Sequence, residues 1–331
     1  MRIASRRLEL IALLVLGTLS LPDCARAQRA PQLPRLGFLG IDATIGPQRQ
    51  KAFVDELRVL GYVEGRTITI EYRWAEGRPE RLPALAAELV ALPVDILVTT
   101  QGAPAVRAAQ QATTSIPIVA MIMNDPVATG LVSSLARPGG NVTGHAFEAS
   151  ALGTKQLELL RATVPQLSRV AVLWYAGGNS EAGTVRAVQD AARVLKIQLQ
   201  AHEVKEPADL VVAVAAAKAW GAQALLQVPS PFLFQHRATL VALLTAHRIP
   251  AMCESRPLVL QGCLMTYAPS FDAMARRTAY YVDRILKGAK PAELPVERPR
   301  EFEFVVNRRT AQALGLTLPP GLLVQATEVL E

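Results

Sequence analysis

Residues 96–113 read ILVTTQGAPAVRAAQQAT, and this stretch decides the fold. Ile96–Thr99 is a short apolar run rich in β-branched residues, which is typical of a buried strand. The polar turn TQG follows it, and a helical pattern then occupies residues 103–113. A buried strand that passes through a short polar loop into a helix is one unit of an α/β fold with a parallel sheet.

The same unit recurs along the chain in two series. In the first series, strands are predicted at residues 36–39, 67–72, 96–99 and 118–122, with helices at 48–60, 83–91 and 103–113. In the second, strands are predicted at residues 170–174, 198–204, 224–228 and 251–253, with helices at 181–195, 208–219 and 232–247. This repetition predicts an α/β protein with two Rossmann-like lobes, each built on an open parallel sheet.

Two segments are predicted to carry the chain between the lobes. Residues 138–144, PGGNVTG, combine a proline with three glycines where no helix can continue, so the first crossing is placed there. The second is placed at residues 264–268, before a long amphipathic helix at 271–286. We therefore expect lobe 1 to comprise residues 28–144 with a return of about 269–331, which includes a strand at 303–306 and a helix at 310–314, and lobe 2 to comprise residues 145–268.

The first 27 residues have the form of a secretion signal. Arginines at positions 2, 6 and 7 precede an apolar run at residues 10–21, and ARA at 25–27 supplies a small-x-small cleavage box. The apolar run is about half the ~20 residues of a bilayer-spanning helix. We expect a periplasmic chain that begins at Gln28, and both Sec and twin-arginine export remain open.

Charge and size narrow the class of protein further. Without residues 1–27 the chain carries 31 basic and 26 acidic residues, a small excess. The basic residues are interleaved with acidic ones rather than clustered with aromatic residues, so no nucleic-acid partner is predicted. Half of all residues are hydrophobic, which over roughly 300 residues is enough for two cores.

Candidate ligand-binding residues come from the loops after the predicted strands, because ligands of open parallel sheets bind outside the carboxyl ends of the strands. They are Asp42, Thr100, Gln101, Asp125, Phe147, Tyr175, Asn179, Ser230, Glu254 and Tyr267. Thr100 and Gln101 suit a ligand carboxylate, and Asp125 suits an ammonium group. Helix caps are the alternative interpretation for these three residues and for Asn179. Tyr175 and Tyr267 are favoured as the aromatic walls of the site.

Motifs for catalysis, cofactors and metals are missing from the sequence. The four histidines are far apart and have no metal-ligand spacing. There is no G-x-S-x-G elbow, no P-loop, and no G-x-G-x-x-G after the first strand. The chain is therefore predicted not to be an enzyme and to need no cofactor or metal.

Cys253 and Cys263 are the two cysteines beyond the secretion signal. An oxidising compartment would allow a disulfide between them. Two separately buried thiols are the alternative, because the sequence does not define the distance between their Cα atoms.

Several motifs also resemble those of a known family. They are LGYVEG at residues 60–65, IEYRWAEG at 70–77, DPV at 125–127, LARPGGNVTG at 135–144, KQLELL at 155–160, ILKGAKP at 285–291 and ALGL at 313–316. In this order they resemble the ABC transporter substrate-binding proteins related to tryptophan and tyrosine binders, which have the type I periplasmic-binding-protein fold.

The resemblance implies a function and partners. It implies a monomer that captures a small molecule, such as an amino acid or an aromatic compound, between its lobes. The molecule would be delivered to an ABC permease and its ATPase. An alternative function for the same fold is that of a ligand-sensing receptor for a membrane sensor. A third hypothesis is an exported enzyme.

Overall fold

The computed structural model describes residues 33–43, 47–148, 152–177 and 181–331. The predicted secretion signal and the candidate Asn179 lie outside these residues. Within the described part, no helix combines the length and the apolar character that crossing a membrane requires.

The first sheet has five parallel strands, four of which the alternation of apolar runs and helical patterns predicts. They are β1 (Arg35–Gly40), β2 (Thr69–Trp74), β3 (Ile96–Thr99), β4 (Ile118–Asn124) and β5 (Val142–Phe147), in the order β2-β1-β3-β4-β5. The connecting helices are α1 (Pro47–Val59), α2 (Leu82–Ala91) and α3 (Ala103–Ala112). Buried apolar clusters cover both faces of this sheet.

The second sheet repeats this topology and adds two strands at one edge. Its strands are β6 (Arg169–Tyr175), β7 (Gln198–Val204), β8 (Ala224–Gln227), β9 (Ala251–Cys253), β10 (Met265–Pro269), β11 (Phe302–Asn307) and β12 (Glu328–Leu330). Their order is β12-β11-β10-β9-β8-β6-β7, and only the β10–β11 pair is antiparallel. Two further apolar clusters cover its faces.

The helices of the second half follow the predicted pattern with one break. They are α4 (Gly153–Thr163), α5 (Glu181–Val194), α6 (Asp209–Trp220), α7 (Pro231–Gln235), α8 (Arg237–Ala246), α9 (Arg256–Leu260), α10 (Phe271–Leu286), α11 (Arg308–Leu314) and α12 (Pro320–Gln325). The helix predicted at residues 232–247 is divided into α7 and α8 at His236, whose backbone leaves the helical region.

The predicted first crossing at residues 138–144 is wrong in position. Val142, Thr143 and Gly144 belong to β5, which pairs with β4. Gly144 has φ +132°, and a Cβ there would lie 2.0 Å from the carbonyl oxygen of Ala120. This glycine therefore permits two strands to approach closely, whereas its sequence context suggested a break in the chain.

The predicted return of the whole segment 269–331 to the first lobe is also wrong. The helix α10 packs against α1, β4 and β5 of the first half. The strands β11 and β12 instead extend the second sheet, where Phe304 and Val306 join its apolar core. The strand β11 thus pairs with β10 in the antiparallel direction, which a repeated βαβ pattern does not predict.

The two cysteines form a disulfide, which decides between the two alternatives left by the sequence. The Cα atoms of Cys253 and Cys263 are 6.4 Å apart. Both residues are buried, and the bond joins the end of β9 to the segment just before β10. It therefore secures the backbone next to Glu254.

Candidate functional site

Loops and helix starts at the carboxyl ends of strands in both sheets contribute to the same cavities. In the first sheet β1 and β3 are neighbours although β2 lies between them in sequence, and β6 and β8 have the same relation in the second sheet. Such a reversal in strand order is where open α/β sheets bind ligands. Two cavities open at this level, and each is lined by residues from both halves of the chain.

The smaller cavity has a volume of about 70 Å³. The first sheet and the helices packed on it contribute Arg49, Gln101, Gly102, Ile122, Asn124, Phe147 and Phe271, and the second sheet and its helices contribute Pro229, Ser230, Pro231, Phe234 and Glu254. It thus combines an arginine, a glutamate and three aromatic rings in a confined space.

The larger cavity has a volume of about 420 Å³. Its walls include the loop at Gly77, the start of α3, and an aromatic surface from Tyr175 and Phe232. Four residues line both cavities, namely Gln101, Gly102, Asn124 and Pro231. The two cavities are therefore adjoining parts of one cleft.

Gln101 supports the walls of the cleft through its side-chain amide. Its Oε1 accepts hydrogen bonds from the backbone N–H groups of Ile41, at 2.5 Å, and Asp42, at 2.9 Å. Its Nε2 donates to the carbonyl oxygen of Asp42 at 2.7 Å. The side chain therefore ties the loop after β1 to the loop after β3, and its own backbone has φ +69°.

Glu254 places a buried carboxyl group in the smaller cavity. Its Oε2 accepts a hydrogen bond of 2.9 Å from the backbone N–H of Ser230, and the Ser230 hydroxyl caps α7 by accepting from Leu233 N–H. Burial raises the pKa of Glu254 to about 8, against the opposing effects of that N–H and of Arg49 and Arg237. A carboxyl group in such surroundings favours its neutral form until a cation approaches.

Arg49 projects from α1 into the same cavity. The carbon atom of its guanidinium group lies 4.0 Å from the ring centroid of Phe271 and 6.0 Å from that of Phe234. Burial lowers the pKa of the guanidinium group, while the carboxyl groups of Glu254, Asp272 and Glu303 oppose this effect. Arg49 is thus a cation held in an aromatic setting at the border of the two halves.

The aromatic wall of the larger cavity is preorganised. The rings of Tyr175 and Phe232 are stacked at 4.5 Å with an angle of 13° between their planes, and the ring of His236 lies 4.7 Å from that of Phe232. Stacked rings of this kind present a rigid apolar surface.

Six of the ten residues predicted from the sequence bear on this cleft in different ways. Gln101, Phe147, Ser230 and Glu254 line the smaller cavity, and Tyr175 lines the larger one together with Gln101. Asp42 is held by Gln101 at the edge of the cleft without lining either cavity. The loops after the strands, from which these candidates were predicted, thus contribute residues of both sheets to the cleft.

Three other predicted residues point elsewhere. Thr100 is buried with its hydroxyl 3.8 Å from the sulfur of Met121. Asp125 begins a turn, where its carbonyl oxygen accepts from Thr129, and burial raises the pKa of its carboxyl group. Tyr267 stacks on Phe302 at 5.7 Å. None of the three lines the two cavities.

Three residues of the smaller cavity are absent from the ligand-binding candidates predicted from the sequence, namely Arg49, Phe234 and Phe271. All three lie within helices rather than in the loops that follow strands. The sequence could have indicated them by their position, because each lies in the first or second turn of a helix that starts at the carboxyl edge of a sheet. Within the described residues, no group of three His, Cys, Asp or Glu side chains is arranged to hold a metal ion.

Comparison with known proteins agrees with this geometry. The model of the family "ABC transporter substrate binding protein" matches residues 46–330, which is most of the chain. The chain belongs to this family. Its members are solute-binding proteins, and the family implies a small-molecule ligand and a transporter as partners. Substrate-binding proteins of ABC importers act in the periplasm or outside the cell.

Individual relatives of this substrate-binding protein include one curated protein. The tyrosine-binding protein of Clostridioides difficile (strain R20291) is 25% identical over 268 residues, which cover 81% of this chain and 76% of the relative.

Solved structures show the same fold. The ABC domain from Streptococcus pneumoniae in complex with L-Trp has a TM-score of 0.83 at 24% identity and covers 90% of this chain and 100% of its own. The ligand-free, open structure of a substrate-binding protein from Clostridium difficile has a TM-score of 0.70 at 21% identity, with coverage of 90% and 99%. The predicted type I periplasmic-binding-protein fold and the predicted family are thereby confirmed.

Proposed function

We propose that this protein is the solute-binding component of an ABC import system and that it captures an amino acid with an aromatic side chain in the cleft between its two sheets. The observation that carries this proposal is the pair of adjoining cavities at the carboxyl ends of both sheets, lined from both halves of the chain. Relatives that bind tyrosine and L-Trp support the ligand class.

The larger cavity suits the side chain of such a ligand. Its volume of about 420 Å³ lies within the roughly 300–1,000 Å³ of small-molecule sites. The stacked rings of Tyr175 and Phe232 supply a flat apolar wall. An aromatic ligand side chain packed on this wall would gain both burial and ring–ring contact.

Capture and release then depend on movement of two lobes, one built on each sheet. The chain passes between the sheets between Phe147 and Gly153, between Pro269 and Phe271, and between Leu286 and Phe302. A ligand that touches both halves binds the closed form more tightly, and this difference in affinity drives closure. The closed form is the one that we propose the permease recognises.

A thermal-shift screen tests the proposal. The protein is purified from the periplasmic fraction of an expressing host, where we expect its intact mass to correspond to residues 28–331. L-tyrosine, L-tryptophan and L-phenylalanine are expected to raise the melting temperature, with L-leucine and glucose as comparison solutes. At 100 times the dissociation constant, ligand binding adds about 2.7 kcal/mol to the free energy of unfolding.

The variant Tyr175→Ala is expected to weaken aromatic ligands, because it removes one ring of the stacked wall. Tyr267→Ala serves as the matched control, since Tyr267 packs on Phe302 outside both cavities. Absence of any shift across these amino acids, with nothing retained from expression in native mass spectrometry, would refute amino-acid capture.

A further inference from the structure

A basic and an acidic side chain face the smaller cavity from different halves of the protein. Arg49 belongs to α1, which packs with the first sheet, and Glu254 directly follows β9 of the second sheet. They form no ion pair with each other within 4.0 Å, although each affects the pKa of the other. The cavity between them is small, and its remaining lining combines three phenylalanine rings with the polar side chains of Gln101, Asn124 and Ser230.

Arg49 keeps its hydrogen-bond donors available. The carbon atom of its guanidinium group lies over the ring of Phe271, and within the described residues Arg49 makes no side-chain hydrogen bond or ion pair. Contact through the face of a guanidinium group leaves the five N–H donors at its edge, where they match the two oxygens of a carboxylate.

The carboxyl group of Glu254 keeps hydrogen-bond acceptor sites available. Among the described residues, only the Ser230 N–H donates to its carboxyl group, which has about four lone-pair sites when ionised. Its carboxyl group is buried, and a buried charge requires a partner to offset the loss of water. A ligand cation beside it would stabilise the ionised form.

We propose that Arg49 binds the α-carboxylate and Glu254 the α-ammonium group of a free amino acid. The pair would bind both charged groups of the zwitterion in the smaller cavity, with the ligand side chain directed into the larger cavity. This inference rests on the proposed function and deepens it, because it names the groups that select free amino acids over amines, carboxylic acids and peptides.

Calorimetric titration with analogues that lack one charge tests the inference. L-tyrosine is compared with tyramine, which lacks the carboxylate, and with 3-(4-hydroxyphenyl)propionate, which lacks the ammonium group. L-phenylalanine is compared with phenethylamine and 3-phenylpropionate in the same way. The unaltered protein is expected to prefer each amino acid over both of its analogues by about 10- to 100-fold, the range of one charge-assisted hydrogen bond.

Two variants test which residue binds the carboxylate of the ligand and which binds its ammonium group. Arg49→Gln is expected to weaken the amino acid by about 10- to 100-fold and to remove its preference over the amine while the preference over the acid persists. Glu254→Gln is expected to remove the preference over the acid while the preference over the amine persists. A role of these residues in folding alone would not produce this crossed pattern.

Arg276→Gln and Glu56→Gln are the matched controls, because these residues carry the same charges and line neither of the two cavities of the cleft. They are expected to leave all affinities unchanged, and thermal melts confirm that each variant is folded. If an amino acid binds but its analogues bind equally well, or if both variants keep both preferences, the inference is overturned and the proposed function stands. If neither amino acid binds the unaltered protein, the proposed function fails first.

Discussion

His145 is a buried histidine that the proposed ligand site does not use. It lies on β5 with 2% of its surface exposed, and neither ring nitrogen has a hydrogen-bond partner among the residues that the structure describes. Its ring meets the edge of Tyr281 at 5.4 Å. Burial lowers the pKa of His145 to about 4, while Glu297 acts to raise it and Arg277 to lower it. The imidazole is therefore neutral in the folded protein at neutral pH.

This lowered pKa predicts acid sensitivity. Between about pH 6.5 and pH 4 the unfolded chain binds a proton at this histidine that the folded chain does not. The contribution of His145 to the free energy of unfolding is therefore constant above pH 6.5 and declines as the pH falls towards 4. His145→Phe is expected to lose less stability than the unaltered protein between pH 7 and pH 4.5 in urea titrations.

His247→Phe is the control for this measurement, since that side chain is not fully buried. Equal losses of stability in the unaltered protein and in His145→Phe would contradict the assignment.

At the scale of elements, the pairing of β4 with β5 depends on one glycine. The register between these strands shifts between Ala120 and Met123, and Gly144 lies opposite Ala120. The backbone of Gly144 is in a region that L residues rarely adopt, and its hydrogen atoms lie against the neighbouring strand. The irregularity is thus maintained by the absence of a side chain.

Gly144→Ala is expected to lower the free energy of unfolding by more than about 2 kcal/mol, because the added Cβ overlaps backbone atoms of Ala120 that cannot move aside. Gly140→Ala is the matched control. A Cβ at Gly140 meets no atom within 4 Å, so a change within about 0.5 kcal/mol is expected. Urea unfolding measures the free energy of unfolding of both variants. Similar values for the two would show that the close approach of the strands at Gly144 does not affect stability.

At the scale of the whole molecule, the two halves are joined by three connections and touch across the cleft. The third connection follows the first sheet for part of its course, where Glu297 pairs with the backbone of Gly144 and Ala146. Across the cleft, the guanidinium carbon of Arg49 lies 6.0 Å from the ring centroid of Phe234, and Gly77 lies close to Gln235. These contacts suit a molecule that opens by rotation about its connections.

Solution scattering tests this movement. We expect the radius of gyration to fall when a saturating amino-acid ligand is added, because the ligand stabilises the form in which both halves contact it. A solute that produces no thermal shift serves as the control and is expected to leave the radius unchanged. An unchanged radius with a bound ligand would argue for a cleft that is closed at all times.

Local sequence patterns predicted most of the regular elements. The alternation that begins at residue 36 matches eight of the strands, and Phe271–Leu286 is a helix with the predicted bounds. The loops after the strands also predicted several residues of the cleft, including Gln101, Ser230 and Glu254. Such signals are available because strand, turn and helix preferences are expressed within a few neighbouring residues.

The sequence by itself therefore determined the α/β class, the edge of the sheets at which the cleft forms, and the motifs shared with the substrate-binding family. Only the tertiary structure decided that β11 pairs with β10, that Cys253 and Cys263 lie within bonding distance, and that Arg49 meets Phe271 and faces Glu254. The physical reason is that each of these contacts joins segments that are distant in the chain. Their proximity depends on how the layers pack, which no short stretch of sequence encodes.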